Sequence, residues 1–152
     1  MNTKENLQKQ AMIAAQEQGI SSVLFRTTVG RKLGLNSTEW ECLSYLSVKG
    51  VTTPTEIARY IGLTTGSTTT LLDRLQKAGF IRRTPNPHDR RGVLIEVDKK
   101  WQQEAGPLVV GLVKKHAEMF ASYSADELKI IIDFLTRFSK NVTEHTKTID
   151  NK

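Results

Sequence analysis

Residues 64–97 read TTGSTTTLLDRLQKAGFIRRTPNPHDRRGVLIEV, and their periodicity changes partway through. In the first half Thr68, Leu71, Leu72 and Leu75 recur at i, i+3, i+4 and i+7, the stripe of a helix with one buried face. Thr64 supplies a capping hydroxyl before it, and Gly79 ends it. Two β-prone runs follow, Phe80-Ile81-Arg82-Arg83 and Val93-Leu94-Ile95-Glu96-Val97. The segment between them, Thr84-Pro85-Asn86-Pro87-His88-Asp89-Arg90-Arg91-Gly92, is rich in turn formers and charge. It predicts a hairpin whose loop is longer than a tight turn.

Upstream, Thr53-Pro54-Thr55-Glu56 places Thr at Ncap, Pro at N1 and Glu at N3, the start of a short helix that closes at Gly62. Two helices joined by Gly62-Leu63-Thr64 form a helix–turn–helix, and the hairpin behind them is a wing. Asn36-Ser37-Thr38-Glu39 opens an earlier helix that runs to Gly50. Residues 5–33 predict a first helix, with irregular apolar spacing around Gly19 and Gly30. Residues 99–123 predict another, with Pro107 either near its first turn or kinking it. Ser124-Ala125-Asp126-Glu127 caps a last helix whose Leu128, Ile131, Leu135, Phe138 and Val142 step by three and four. Ile130, Ile132 and Phe134 give that helix a second apolar face, which calls for a second subunit. The tail after residue 143 is expected to fray. The fold class is therefore mainly α with a small β-hairpin wing (α+β). Residues 36–98 form a winged helix-turn-helix, flanked by dimerisation helices in 1–35 and 99–152.

Charge is concentrated where the motif lies. The 152 residues carry 22 Lys+Arg against 16 Asp+Glu, a net charge of +6. Within residues 73–92, Arg74, Lys77, Arg82, Arg83, Arg90 and Arg91 face only Asp73 and Asp89. So local an excess points to a polyanion. One cysteine excludes an intrachain disulfide, and no apolar run approaches membrane-spanning length. With a polar N-terminal segment, the expectation is a cytoplasmic protein without a membrane partner. Metalloprotease, phosphate-loop, dinucleotide and nucleophile-elbow motifs are absent, and the three histidines have no ligand spacing. Neither an enzyme nor a cofactor nor a metal site is expected.

With Leu71, Leu72 and Leu75 buried, Ser67, Thr70, Arg74 and Lys77 form the opposite strip of the second helix, flanked by Thr65, Thr69 and Asp73. Small hydroxyl residues let a helix approach the major groove, where threonine meets thymine methyls, bases or phosphates. Thr53 and Thr55, at the start of the preceding helix, join the candidate DNA contacts. Arg74 and Lys77 suit phosphates. Arg90 and Arg91 on the wing suit a narrow A·T-rich minor groove, with Asp89 bracing an arginine. The implied partner is double-stranded DNA carrying an A·T-rich inverted repeat. The alternative is a helical module docking an acidic protein through its basic wing.

Residues 64–97 resemble the recognition helix and wing of the MarR family of winged-helix regulators. Leu71, Asp73, Arg74, Leu75 and Gly79 match the family's D-R-L…G core, and Asp89, Arg91 and Gly92 its D-x-R-G wing signature. Leu-Gly-Leu-Asn-Ser-Thr-Glu-Trp at 33–40 and Thr-Pro-Thr-Glu-Ile-Ala at 53–58 support the match. The resemblance implies a homodimer, a palindromic operator and repression relieved by a small ligand or by oxidation. Thr70 stands where many members carry arginine or another large polar residue, so no base preference carries over. Trp40, Tyr45, Trp101 and His116 are candidates for an effector pocket taking a small aromatic or lipophilic molecule; core packing of the two tryptophans is the competing expectation. Cys42, outside the first helix, reads as a buried hydrophobe rather than a redox sensor.

Overall fold

The structure is a computed structural model that describes residues 3–150, with the side chains of Arg90 and Asp150 outside the described residues. Among the described residues, six helices and one hairpin follow in the order α1 (Lys4–Lys32), α2 (Ser37–Lys49), α3 (Pro54–Ile61), α4 (Thr65–Lys77), β1 (Ile81–Asn86), β2 (Asp89–Val97), α5 (Lys99–Ala121) and α6 (Ala125–Asp150). The chain forms two compact units, divided between Leu108 and Val109.

The expected starts are set by local hydrogen bonds. Asn36 and Glu39 complete a reciprocal capping box on α2, as do Thr53 and Glu56 on α3. Hydrogen bonds from Thr52 and Thr53 hold the Glu56 carboxyl below its ordinary range. On α6, Ser124 and Glu127 bond in the same reciprocal way. Gly62, at φ +75°, takes the left-handed turn between α3 and α4 that a side chain would resist.

The core of the first unit gathers Leu43 and Leu46 of α2, Ile57 of α3, Leu72 and Leu75 of α4 and Ile95 of β2, each at most 1% exposed. Trp101, from the start of α5, stands edge-on to both Trp40 and Phe80, and its Nε1 donates to Ser47 Oγ at 3.0 Å. Thr52 and Ile95 exchange both backbone hydrogen bonds, hooking the wing onto the α2–α3 connection.

Two details, the wing turn and the end of α6, differ from expectation, and two open points of the helices are settled. The strands are longer and their turn shorter than the composition of 84–92 suggests: Asn86 pairs with Asp89 across Pro87-His88, and three residues, Arg90, Arg91 and Gly92, bulge before the ladder resumes at Pro85–Val93. Pro85 lacks an N–H for the ladder, and the Asn86 side chain accepts from His88 N, so a turn forms where a loop was expected. Helix α1 runs unbroken through Gly19 and Gly30. Pro107 lies inside α5. Finally, α6 continues to Asp150 instead of fraying after 143; there Thr143 and Thr146 bond back to the carbonyls of Ser139 and Val142.

Candidate nucleic-acid interface

Helix α4 buries Thr68, Leu71, Leu72 and Leu75 and exposes Thr65, Ser67, Thr69, Thr70, Arg74 and Lys77. The expected strip is therefore real and open to solvent. Of the three consecutive threonines only two belong to it; Thr68 is a core residue. Their hydroxyls are also committed. Thr69 Oγ1 donates to Thr65 O and Thr70 Oγ1 to Gly66 O, at 3.0 and 3.2 Å. Toward a ligand both present a methyl group and an acceptor. Ser67 differs, because its Oγ accepts from Thr64 Oγ1, which leaves the serine proton to donate outward.

Three ion pairs that the sequence does not announce fix this helix and the hairpin behind it. Arg74 Nη2 lies 3.1 Å from Glu39 Oε1 of α2, and Glu39 is buried. Arg83 of β1 pairs with Asp73 at 2.7 Å and also donates to Gln76, joining wing to helix. Arg82 pairs with Glu96 across the hairpin at 2.8 Å. Lys100 Nζ donates to Ala78 O at the end of α4, where a cation suits the exposed carbonyls. Each pair joins residues ten or more positions apart, so no local spacing rule finds it.

At the wing tip Asp89 acts on the backbone. Its Oδ1 accepts from Arg91 N at 2.9 Å, so the bracing expected of Asp89 falls on the Arg91 main chain. The same carboxylate explains Gly92: a Cβ there would lie 3.1 Å from Asp89 Oδ2 and 3.3 Å from its Cγ. The Arg91 side chain is exposed; that of Arg90 lies outside the described residues. In α3, Thr55 is exposed, while Thr53 is half-buried and its hydroxyl accepts from Glu56 N.

The four candidate effector residues fall in different settings. Trp40 and Trp101 are buried against one another, with ring centroids 5.6 Å apart. Tyr45 stacks on Tyr60 at 4.0 Å. His116 is an exposed residue of the second unit. The open space nearby is a groove of about 530 Å³ between α1 and α2, lined by Val23, Arg26, Thr27, Leu35, Trp40 and Glu41 among others. Arg26 and Glu41 pair across it at 2.7 Å. Trp40 Nε1 is buried with no hydrogen-bond partner among the described residues. Cys42 is fully buried, and burial pushes its thiol up to about 12.

Comparison with known proteins agrees with this architecture. The MarR family profile matches residues 35–93. The HTH-type transcriptional regulator YcgE of Bacillus subtilis is 30% identical over 148 residues, spanning 97% of this chain and 96% of its own. A MarR family protein from Bacillus stearothermophilus superposes with a TM-score of 0.65 at 17% identity, covering 93% of this chain and 99% of its own. NadR, solved in complex with 4-hydroxyphenylacetate, superposes with a TM-score of 0.61 at 17% identity, over 91% and 94% of the two chains. Among the described residues no helix is long and apolar enough to cross a membrane. With its helix–turn–helix, its wing and a relative matched from end to end, the chain belongs to the MarR family and is a DNA-binding transcriptional regulator.

Proposed function

We propose that the protein is a cytoplasmic, homodimeric repressor that binds an A·T-rich inverted repeat and is released by a small aromatic or lipophilic effector. Residues 36–98 bind DNA, and residues 1–35 and 99–152 form the dimer. The observation that carries the reading is the exposed face of α4, where Ser67, Thr69 and Thr70 precede Arg74 and Lys77. No Arg, Lys, Asn or Gln stands in the leading part of that face, so bidentate readout of guanine or adenine is unavailable there. The methyl groups of Thr69 and Thr70 suit thymine methyls, and Ser67 donates to a base acceptor or a phosphate. Arg91 on its bulge, with Arg90 beside it, enters a narrow minor groove.

Dimerisation is supported by apolar surface left uncovered. In α1, Met12, Ile20 and Leu24 are each more than 60% exposed, and in α6 so are Ile130 and Ile132. Faces of this kind on long helices mark interaction sites. The effector reading is supported by the α1–α2 groove, whose lining includes Trp40, and by the aromatic acid in the related fold of NadR.

The test is selection from a random duplex pool. The expected consensus is an A·T-rich inverted repeat with half-sites about one helical turn apart. A G·C-rich consensus, or half-sites out of phase by half a turn, would overturn the reading of α4.

A further inference from the structure

We infer that Glu39, a buried residue of α2 outside the recognition strip, is a positioning residue for recognition: it aims Arg74. The inference rests on the DNA-binding reading of α4. The geometry is asymmetric. The Glu39 side chain is 4% exposed, whereas that of Arg74 is 61% exposed. A fixed, buried carboxylate therefore holds one corner of a guanidinium whose remaining N–H groups face solvent on the recognition strip. The carboxylate is itself held. Its Oε2 accepts from Asn36 N at 2.8 Å, while Asn36 Oδ1 accepts from Glu39 N at 2.9 Å. That reciprocal cap leaves Oε1 for Arg74, 3.1 Å away.

The physical consequence concerns order more than charge. An arginine on an exposed helix face samples many rotamers, and DNA must freeze one of them. Glu39 freezes it beforehand, from inside the protein, at the cost of a negative charge placed near the phosphates. The two effects act oppositely on different complexes. Non-specific binding tolerates any rotamer and loses from the added negative charge. Specific binding needs one geometry and gains from the ordering. Glu39 therefore raises the ratio of specific to non-specific affinity, which neither a purely structural nor a purely electrostatic role would do.

The test uses the full chain, a duplex obtained by selection with the wild-type protein, and a scrambled duplex of equal composition. Failure of the selection itself would count against the DNA-binding reading, separately from this one. Glu39→Gln keeps the cap, because glutamine also serves at N3, and it removes the negative charge that pairs with Arg74. It should lower the specificity ratio about tenfold, the ordering cost of one arginine in each of two subunits. In an Arg74→Gln background the same change should move the ratio less than about twofold, because the group it positions is gone. An unchanged ratio in the first case, or an equal fall in the second, overturns the proposal. Should Glu39→Gln lose its helical signal, Arg74→Lys carries the same test with the charge kept and the planar fork lost. A lower ratio supports the proposal and an unchanged one overturns it.

Discussion

Gly92 and Asp89 make one device at the wing tip, and their coupling can be measured. Gly92 has no positive φ, so alanine meets no backbone strain there. The obstacle is the Asp89 carboxylate, 3.1 Å from the position of the new Cβ. That carboxylate is short and tied to Arg91 N at 2.9 Å, so it retreats only by giving up the hydrogen bond. Gly92→Ala and Asp89→Ala should therefore have the same consequence, a bulge that no longer presents Arg91 in one conformation. One hydrogen bond of this kind is worth about 1 kcal/mol. With two wings on a dimer the loss is about 2 kcal/mol, roughly 30-fold in operator affinity.

The double variant separates this account from two independent injuries. Once the carboxylate is gone, both approaches closer than 3.4 Å are removed, and Asn86 Cβ at 3.4 Å is an ordinary contact for a methyl at residue 92. Asp89→Ala/Gly92→Ala should bind as Asp89→Ala does, within about twofold, giving a coupling near the full effect of either change. Fluorescence anisotropy on the selected duplex reads the affinities, and thermal melts should stay within a degree or two because the tip is exposed. Additive losses, approaching a thousandfold by the same arithmetic, or a neutral Gly92→Ala, would refute the shared-carboxylate reasoning.

Four further outcomes are expected. Arg91→Ala should weaken binding to all duplexes and reduce the salt slope by about 2 for a dimer, near 0.9 for each phosphate no longer neutralised; titrations at several salt concentrations check it, and the loss should exceed that of Arg90→Ala. Thr70→Arg should shift the selected consensus toward guanine and raise non-specific affinity, read by repeating the selection. Sedimentation at micromolar concentration should show a dimer, given the exposed apolar residues of α1 and α6; a folded monomer would exclude it. Cys42 should resist alkylation at pH 8 in the native state and react once unfolded. Its thiol titrates near 12 folded against an ordinary 9.0. The folded state thus keeps a proton that the unfolded state releases, and Cys42 should make stability fall as pH rises above about 9, as chemical denaturation compared with Cys42→Ala would show.

What was legible in the sequence is what local chemistry sets. A cap acts over three residues, so Asn36 with Glu39, Thr53 with Glu56 and Thr64 announce three helix starts unaided. The leucine stripe of α4 and the positive-φ glycines at 62 and 79 are equally local. The wing departs from expectation because its proline content suggests an open loop, whereas two side chains, Asn86 and Asp89, each accept from the backbone two residues on and close the chain tightly. Trp40 and Trp101, equally compatible with a pocket and a core, are both buried; only a contact across sixty-one positions in sequence decides between those readings.

The basic cluster shows most clearly why charge counting falls short of a site. The sequence offers six basic residues over 73–92 as one patch. In the fold Arg82 turns to Glu96, Arg83 to Asp73 and Gln76, and Arg74 to Glu39. Two of these three carboxylates, Glu39 and Glu96, lie outside the window in which the excess was counted. Arginine's planar fork allows a pair on one edge and a phosphate on another, so the pair with Glu39 leaves Arg74 able to make the DNA contact proposed for it. Arg83 is different. Its two described bonds both run to α4, and its side chain is only 26% exposed. Its charge fastens the wing to α4. Lys77 and Arg91 make no ion pair among the described residues, and both are exposed. The charge left outside ion pairs is thus smaller than the sequence total. The residues that look redundant in a count of charges set the geometry in which the others act.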